Sequence, residues 1–378
     1  MRPGDMLVSC CMSDEEIPQD RRFMALHEIV SVARENLDDM TWDYVIGGSE
    51  SETTLRRNRA AIDSLGWLPR VLNDVGDVEP GTNFLGEYLT IPILLAPIGS
   101  LQIIEAGGGA SSARAAADSG VMSIASSVCE PSLEAIASSS DAPKIYQLYV
   151  RGDDQWVSDM VERVIAAKYC AFCLTVDTAV VSRRERDIAK RVAPTSQQSS
   201  DGKNFQSRLS WRMVEMIKSR FDIPLILKGI SHPKDVQRAL DCGVDVIYLS
   251  NHGGRQLDQG IGTITLLPEI VELVGGRASI AIDGGFYRGN DIVKAVALGA
   301  DVVGVGRLEA WALAAGGVPA LNRCLELLRQ EIKRTMALLG VTKLDQLNPD
   351  FLRRTELVSD SDVLSAFPLI DDYPAQIN

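Results

Sequence analysis

The nine residues Ser250-Asn251-His252-Gly253-Gly254-Arg255-Gln256-Leu257-Asp258 follow directly on the apolar run Val244–Leu249. They gather an imidazole, a guanidinium, a carboxylate and two adjacent glycines into one turn. His252 can take a proton, Arg255 can hold a carboxylate with its planar fork of donors, and the glycine pair lets a ligand approach the backbone closely. Together they suit a small acidic substrate. Lys228 ends a second apolar run, Pro224–Lys228. An unpaired ammonium would be costly there, so it requires an anionic partner.

These residues need a frame that brings distant segments together. From about residue 91, short apolar runs alternate with segments of helical period, the pattern of parallel strands joined by crossover helices. The strand candidates are Ile91–Ile98, Val121–Ala125, Lys144–Tyr149, Ala171–Val176, Pro224–Lys228, Val244–Leu249, Ser279–Ile282 and Val302–Val305. Helical stretches such as Ser111–Ser119, Asp154–Ala167, Pro233–Cys242 and Asn290–Leu298 lie between them. Eight such units predict the α/β class and a closed (β/α)8 TIM barrel. An open doubly wound sheet would carry its phosphate-binding glycines at the first strand-to-helix turn, and none follow Ile98.

In such a barrel, chemistry sits on the loops at the carboxyl ends of the strands, with phosphate often held after the seventh and eighth. Gln147 and Tyr149, Thr175 and Asp177, Lys228, Ser250 to Arg255, Asp283 to Gly285, and Gly306-Arg307 all fall at or just past a strand end. Residues 1–75 are expected to form an N-terminal helical cap, with Leu26, Ile29, Val30 and Ala33 at helical spacing. Residues 76–340 form the barrel and 341–378 a C-terminal tail of the same domain, after an amphipathic helix over Ala320–Leu339. The stretch Ala179–Arg208 contains Pro194-Thr-Ser-Gln-Gln-Ser-Ser-Asp-Gly202, which predicts a polar lid loop after the fourth strand.

The composition excludes several classes. A length of 378 residues accommodates one barrel of about 250 residues plus extensions. A net charge of −13 and a pI near 4.8 argue against nucleic acid, which demands clustered Lys and Arg. The longest uncharged stretch, Leu89–Ile104, is broken by Pro92 and Pro97 and falls short of the roughly 20 apolar residues of a membrane span. No membrane partner is expected. Charges at Arg2, Asp5 and Asp14-Glu15-Glu16 interrupt any secretory h-region. Seven cysteines, at 10, 11, 129, 170, 173, 242 and 324, form an odd, scattered set that fits reduced thiols in the cytoplasm. Cys170-Ala-Phe-Cys173 stands alone in an apolar run and reads as buried thiols. With only His27, His232 and His252 in the chain, no metal centre is expected.

The segment around His252, with Gln147-Leu-Tyr149, Leu174-Thr-Val-Asp177, Arg183-Arg184-Glu185, Leu227-Lys228-Gly229, Asp283-Gly284-Gly285 and Gly306-Arg307, resembles the FMN-dependent 2-hydroxy acid oxidizing family. Glycolate oxidase and lactate oxidase typify it, and mandelate dehydrogenase is a further kind of member. The likeness runs from about Met40 to Leu339, with the motifs in the family's order and spacing. It implies an enzyme that oxidises a 2-hydroxy acid to the 2-keto acid, passing the electrons to oxygen or another soluble acceptor. It also implies a homo-oligomer, a tetramer by analogy. His252 would be the base, poised by Asp177. Arg184 and Arg255 would clamp the substrate carboxylate, and Tyr44 and Tyr149 would hydrogen-bond the substrate. Ser126, Gln147 and Thr175 would contact the flavin ring, and Lys228 would face the reduced flavin. Asp283 would hold the ribityl hydroxyls, while Gly284, Gly285, Gly306, Arg307 and Ser250 complete the cofactor site.

The chain also departs from the family's pattern. Where the family carries arginine two residues after Asp-Gly-Gly, Tyr287 stands, and Arg288 would have to reach around to the phosphate. Pro-Thr-Ala becomes Pro97-Ile98-Gly99, which loses a hydroxyl at the flavin. His-Pro-x-Gly-Glu is replaced by Ile104-Glu-Ala-Gly-Gly-Gly109, and Val128 occupies the place of glycolate oxidase's tryptophan, which implies a wider pocket. A non-redox flavin-dependent barrel enzyme, isomerase-like, is the first alternative. A weakly active or non-catalytic flavin-binding member of the family is the second. Retention of Arg184, His252 and Arg255 weighs against both.

Overall fold

The computed structural model describes residues 22–191 and 205–372; the core of the expected lid, Pro194–Gly202, lies outside them. Three helices come first, α1 (Leu26–Asn36), α2 (Asp39–Ile46) and α3 (Thr53–Asp63). They are the expected cap. Asp38 starts α2 by accepting the Thr41 amide at 2.6 Å, which satisfies one of the donors a helix leaves free at its start. The short strand β1 (Leu65–Trp67) follows, then an antiparallel hairpin of β2 (Thr82–Phe84) and β3 (Glu87–Leu89).

The next strands alternate with helices: β4 (Ile93–Leu95), α4 (Gly108–Ser119), β5 (Met122–Ser126), α5 (Leu133–Ala137), β6 (Lys144–Leu148), α6 (Asp154–Ala166) and β7 (Ala171–Thr175). Then come α7 (Glu185–Ala189), α8 (Trp211–Arg220), β8 (Leu225–Ile230), α9 (Pro233–Asp241), β9 (Val246–Leu249), α10 (Thr263–Val274), β10 (Ser279–Ile282), α11 (Gly289–Ala297), β11 (Val302–Val305) and α12 (Arg307–Leu339). Strands β4 to β11 pair in parallel and close into a barrel in sequence order. The eight strands are those the apolar runs predict. Buried side chains fill the interior, among them Leu94, Met122, Ile145, Ile226, Val246 and Val302, and Phe84 and Leu89 of the hairpin join the same cluster. That apolar layer leaves the opposite, carboxyl end of the strands for polar groups.

One feature differs from expectation. Helix α12 begins at Arg307 rather than near Ala320, because a break at Gly316-Gly317, where Gly317 takes φ +64, joins two helical runs. The glycine pair and Pro319 hide the first run in the sequence. Within the tail, β12 (Leu352–Arg354) pairs antiparallel with β1 and ties that segment to the cap.

Candidate active site

His252, Gly253 and Gly254 all take positive φ, at 59°, 62° and 77°. This turn needs its glycines for contact as well as for conformation. A Cβ on Gly254 would stand 2.6 Å from the Leu55 backbone, so its absence lets α3 seat against the loop. Asp258 completes that seat, accepting the Ser51 and Thr54 amides at 3.1 and 2.8 Å. Burial raises the Asp258 carboxyl, but the hydrogen bonds from Ser51 and Thr54 outweigh it and hold it at about 2. The carboxylate of the motif is thus a docking group for the cap.

His252 Nδ1 lies 3.1 Å from Asp177 Oδ1, while Nε2 lies 3.3 Å from the Tyr149 hydroxyl. Three strand ends supply this row, β6, β7 and β9. Burial pushes Asp177 up, yet the adjacent His252 and Lys228 hold it below the usual carboxylate range. The carboxylate therefore stays charged behind the imidazole. Burial, reinforced by Asp177, raises the Tyr149 phenol, which remains a neutral donor.

Lys228 Nζ pairs with Asp283 Oδ2 at 2.9 Å and donates to Ser250 Oγ at 2.9 Å, and that hydroxyl donates to Asp283 Oδ1 at 2.5 Å. Burial disfavours the ammonium, but Asp283 and Asp177 outweigh it, so Lys228 stays charged. The anionic partner its position demands is present in the protein.

Arg255 Nη1 donates to the carbonyls of Tyr44 and Gly47 at 2.6 and 3.0 Å. Its guanidinium stacks over the Tyr44 ring at 4.9 Å, with that of Arg184 at 5.9 Å. Burial, with Arg184 nearby, pulls Arg255 down to about 9, so an anion entering here would be stabilised. Arg184 Nη1 is buried without a hydrogen-bond partner and lies 3.8 Å from Asp187. Its neighbours Arg183 and Arg186 instead pair with Glu185 and with Glu52 and Asp43. Arg307 donates to Val45 and Gly47 carbonyls at 3.1 and 2.9 Å.

These groups surround one cavity of about 370 Å³, within the range of small-molecule sites. Tyr44, Pro97, Ile98, Gly99, Tyr149, Arg184, Lys228, His252, Arg255, Asp283, Gly284, Gly285, Gly306 and Arg307 line it. Ser126, Gln147, Thr175, Asp177 and Ser250 stand behind that lining. Gln147 donates to Thr175 Oγ1 at 2.8 Å, and its own Oε1 is buried without a partner. Arg288 does not reach the cavity. Glu331 holds it at 2.9 and 3.1 Å from Nε, and the Ala366 carbonyl at 3.1 Å, so the expected phosphate contact is corrected. Tyr287 instead lines the cavity, stacks on Trp311 at 5.7 Å and packs at a tilt against Phe367 at 5.8 Å.

Sequence reasoning missed Gln206, which bonds the Thr175 carbonyl and the Val150 amide, and the pair Asn58 and Arg59 beneath Gly284-Gly285. They belong to a short 3-10 turn (Gln206–Arg208) and to a cap helix, with no motif to mark them. Arg59 is buried against Asp291 at 2.6 Å and donates to the Gly285 carbonyl at 2.9 Å, which fixes the glycine turn from below.

A family profile described as FMN-dependent dehydrogenase matches residues 33–354. The chain belongs to the FMN-dependent dehydrogenase family. Among similar proteins of this family, an L-lactate oxidase of Nostoc sp. is 36% identical over 86% of this chain and 97% of its own length. Glycolate oxidase 1 of Zea mays is 34% identical over 90% and 97%. A solved mandelate oxidase with benzoyl-formic acid superposes with a TM-score of 0.83 at 35% identity, covering 89% of this chain and 100% of that one.

The cavity fits FMN on its own chemistry. The buried, unpartnered Gln147 Oε1 is an acceptor awaiting a donor such as a flavin ring N–H. Gly284 and Gly285 take φ +110 and +89, and a Cβ on Gly306 would meet only Ala96 at 3.9 Å, leaving a backbone cradle open to a ligand.

Proposed function

We propose that this FMN-dependent dehydrogenase oxidises a 2-hydroxy acid to its 2-keto acid, and that the residues converging on the cavity divide the work as follows. FMN bound there supplies a two-electron acceptor, the redox chemistry that side chains lack. Gln147, Thr175 and Ser126 hold its ring from the strand ends. Asp283 and Ser250 hold the ribityl chain, with Gly284, Gly285, Gly306 and Arg307 at the phosphate. Arg184 and Arg255 take the substrate carboxylate, which meets the unsatisfied Arg184 donor and the electrostatic strain on Arg255. Tyr44 and Tyr149 orient it. His252 receives the proton the substrate loses, and Asp177 stabilises the imidazolium. Lys228 opposes negative charge arriving on the cofactor side.

The single observation that carries this reading is the Asp177–His252–Tyr149 row opening onto a cavity that also holds Arg184, Arg255 and Lys228. Val128, Ile98, Val180, Val181 and Phe205 add apolar surface to the lining of that cavity. We therefore favour a substrate bulkier than glycolate. The named relatives are oxidases, which favours oxygen as the acceptor over another soluble one. We further infer a cytoplasmic homo-oligomer, a tetramer by analogy. The described cysteines are free thiols, and no described helix is long and apolar enough to cross a membrane.

Anaerobic mixing with a panel of 2-hydroxy acids tests the proposal. Bleaching of the yellow flavin by at least one of them, abolished in His252→Ala, is expected. Indifference of the flavin to every member of the panel refutes it, and the recovery rate in air distinguishes oxidase from dehydrogenase.

A further inference from the structure

Behind the wall Ala96-Pro97-Ile98 lies a second, small space of about 10 Å³, lined by both Ala96 and Ile98 and by Gly109, Ser112, Ser123, Ser126, Cys129 and Glu309. Glu309 enters it from the first turn of α12 and is 1% exposed. Its Oε1 accepts a hydrogen bond from Ser112 Oγ at 2.6 Å. Its Oε2 has no partner, and neither has Ser123 Oγ, which is 2% exposed on β5. Two orphaned polar groups on one cavity the size of a single water call for that water, since buried polar atoms are otherwise satisfied. A side chain at Gly109 could not serve, because its Cβ would fall 2.6 Å from Ile136 and 2.8 Å from Cys129.

We propose that Glu309 is a positioning residue that acts as a neutral carboxylic acid, holding one buried water jointly with Ser123 and thereby bracing the Ala96–Ile98 wall of the cofactor cavity. No cation pairs with this carboxyl among the described residues. The titratable groups that sense it are Cys129 beyond β5, Tyr248 on β9 and Cys324 on α12, all raised by burial and so uncharged near neutrality. Burial drives Glu309 up to about 8, against the opposing pull of the Ser112 hydrogen bond and of the nearby Ala96 amide dipole. Above that pH it releases its proton to solvent and leaves an unpaired anion behind the wall, where it repels further negative charge.

Infrared titration of the full chain freed of cofactor reads the acid directly and needs no turnover. The wild-type protein is expected to show a neutral carboxylic carbonyl band at pH 7 that disappears with a midpoint near pH 8, absent in Glu309→Gln. Ser112→Ala, which removes a donor favouring the carboxylate, is expected to move the midpoint upward, and it carries the test if Glu309→Gln does not fold. In the FMN-loaded protein, the visible flavin spectrum is expected to shift with the same midpoint, and not in Glu309→Gln. A carboxylate already ionised at pH 7, a crystal structure with the cavity dry, or a flavin spectrum titrating identically in Glu309→Gln overturns the proposal. None of these outcomes bears on whether 2-hydroxy acids are oxidised, so the two readings fail separately.

Discussion

Replacing Asp177 with asparagine isolates the charge behind the base. The carboxylate sits 3.1 Å from His252 Nδ1, and both groups are largely buried, with side chains 12% and 17% exposed. At that separation and an effective dielectric of about 20, two unit charges attract by roughly 5 kcal/mol. Asparagine nearly preserves the shape and can still accept from the ring through Oδ1, so part of the loss is recovered. A net loss of about 3 kcal/mol in the step that charges the imidazole slows it roughly a hundredfold, at about 1.4 kcal/mol per decade. Stopped-flow measurement of anaerobic flavin reduction gives this step alone. The limiting reduction rate should fall by that factor, while substrate affinity, which the proposal assigns to Arg184 and Arg255, should change little. A rate within threefold of wild type, with the variant folded and FMN bound, would show that Asp177 does not support the base.

Arg255→Lys keeps the charge but loses the fork that spans the Tyr44 and Gly47 carbonyls; KM should rise about 10- to 100-fold with a smaller change in kcat, measured by steady-state kinetics. Tyr287→Ala opens a hole between Trp311 and Phe367 and should destabilise the fold by about 3–5 kcal/mol in denaturant melts. Asp258, held at about 2 against an ordinary 3.8, contributes roughly 2 kcal/mol that is fully present above pH 4 and lost as pH falls toward 2. Asp258→Asn should therefore flatten the acid limb of a stability profile, and an unchanged limb contradicts this account. Gly254→Ala places a methyl 2.6 Å from the Leu55 backbone at φ +77, so α3 should detach, seen as new proteolytic sites between residues 48 and 63.

The barrel was legible because each of its strands is an apolar run bounded by a polar strand end, and that polar end is where the site sits. Helix α12 was half hidden, since Gly316, Gly317 and Pro319 mimic a loop where the structure only bends. The pairing of β1 with β12 was invisible: three residues each, far apart in sequence, carry no period. Within the site, Tyr149, Lys228, His252, Arg255, Asp283 and Arg307, from strand-end motifs, line one cavity. Arg288 does not, because Glu331 on a distant helix captures it, a long-range contact that spacing cannot encode. Glu309 carries no signal in the sequence for the same reason: within its helix it is one more acidic residue, and only the packing of α4 and β5 against it removes it from water.

Arg255 and Arg307 spend donors on the same carbonyl, that of Gly47 at the end of α2, while also lining the space for ligands. On the proposed function, the latch on the cap and the grip on the bound molecules are one pair of cations. A guanidinium has five donors, so both tasks can be met at once, but geometry couples them. Filling the cavity should tighten the cap's seating, visible as slower amide exchange over residues 39–47. Truncating either arginine then removes two supports in a single stroke, and a lesion of the cap's docking group alone, Asp258→Asn, supplies the control that tells them apart.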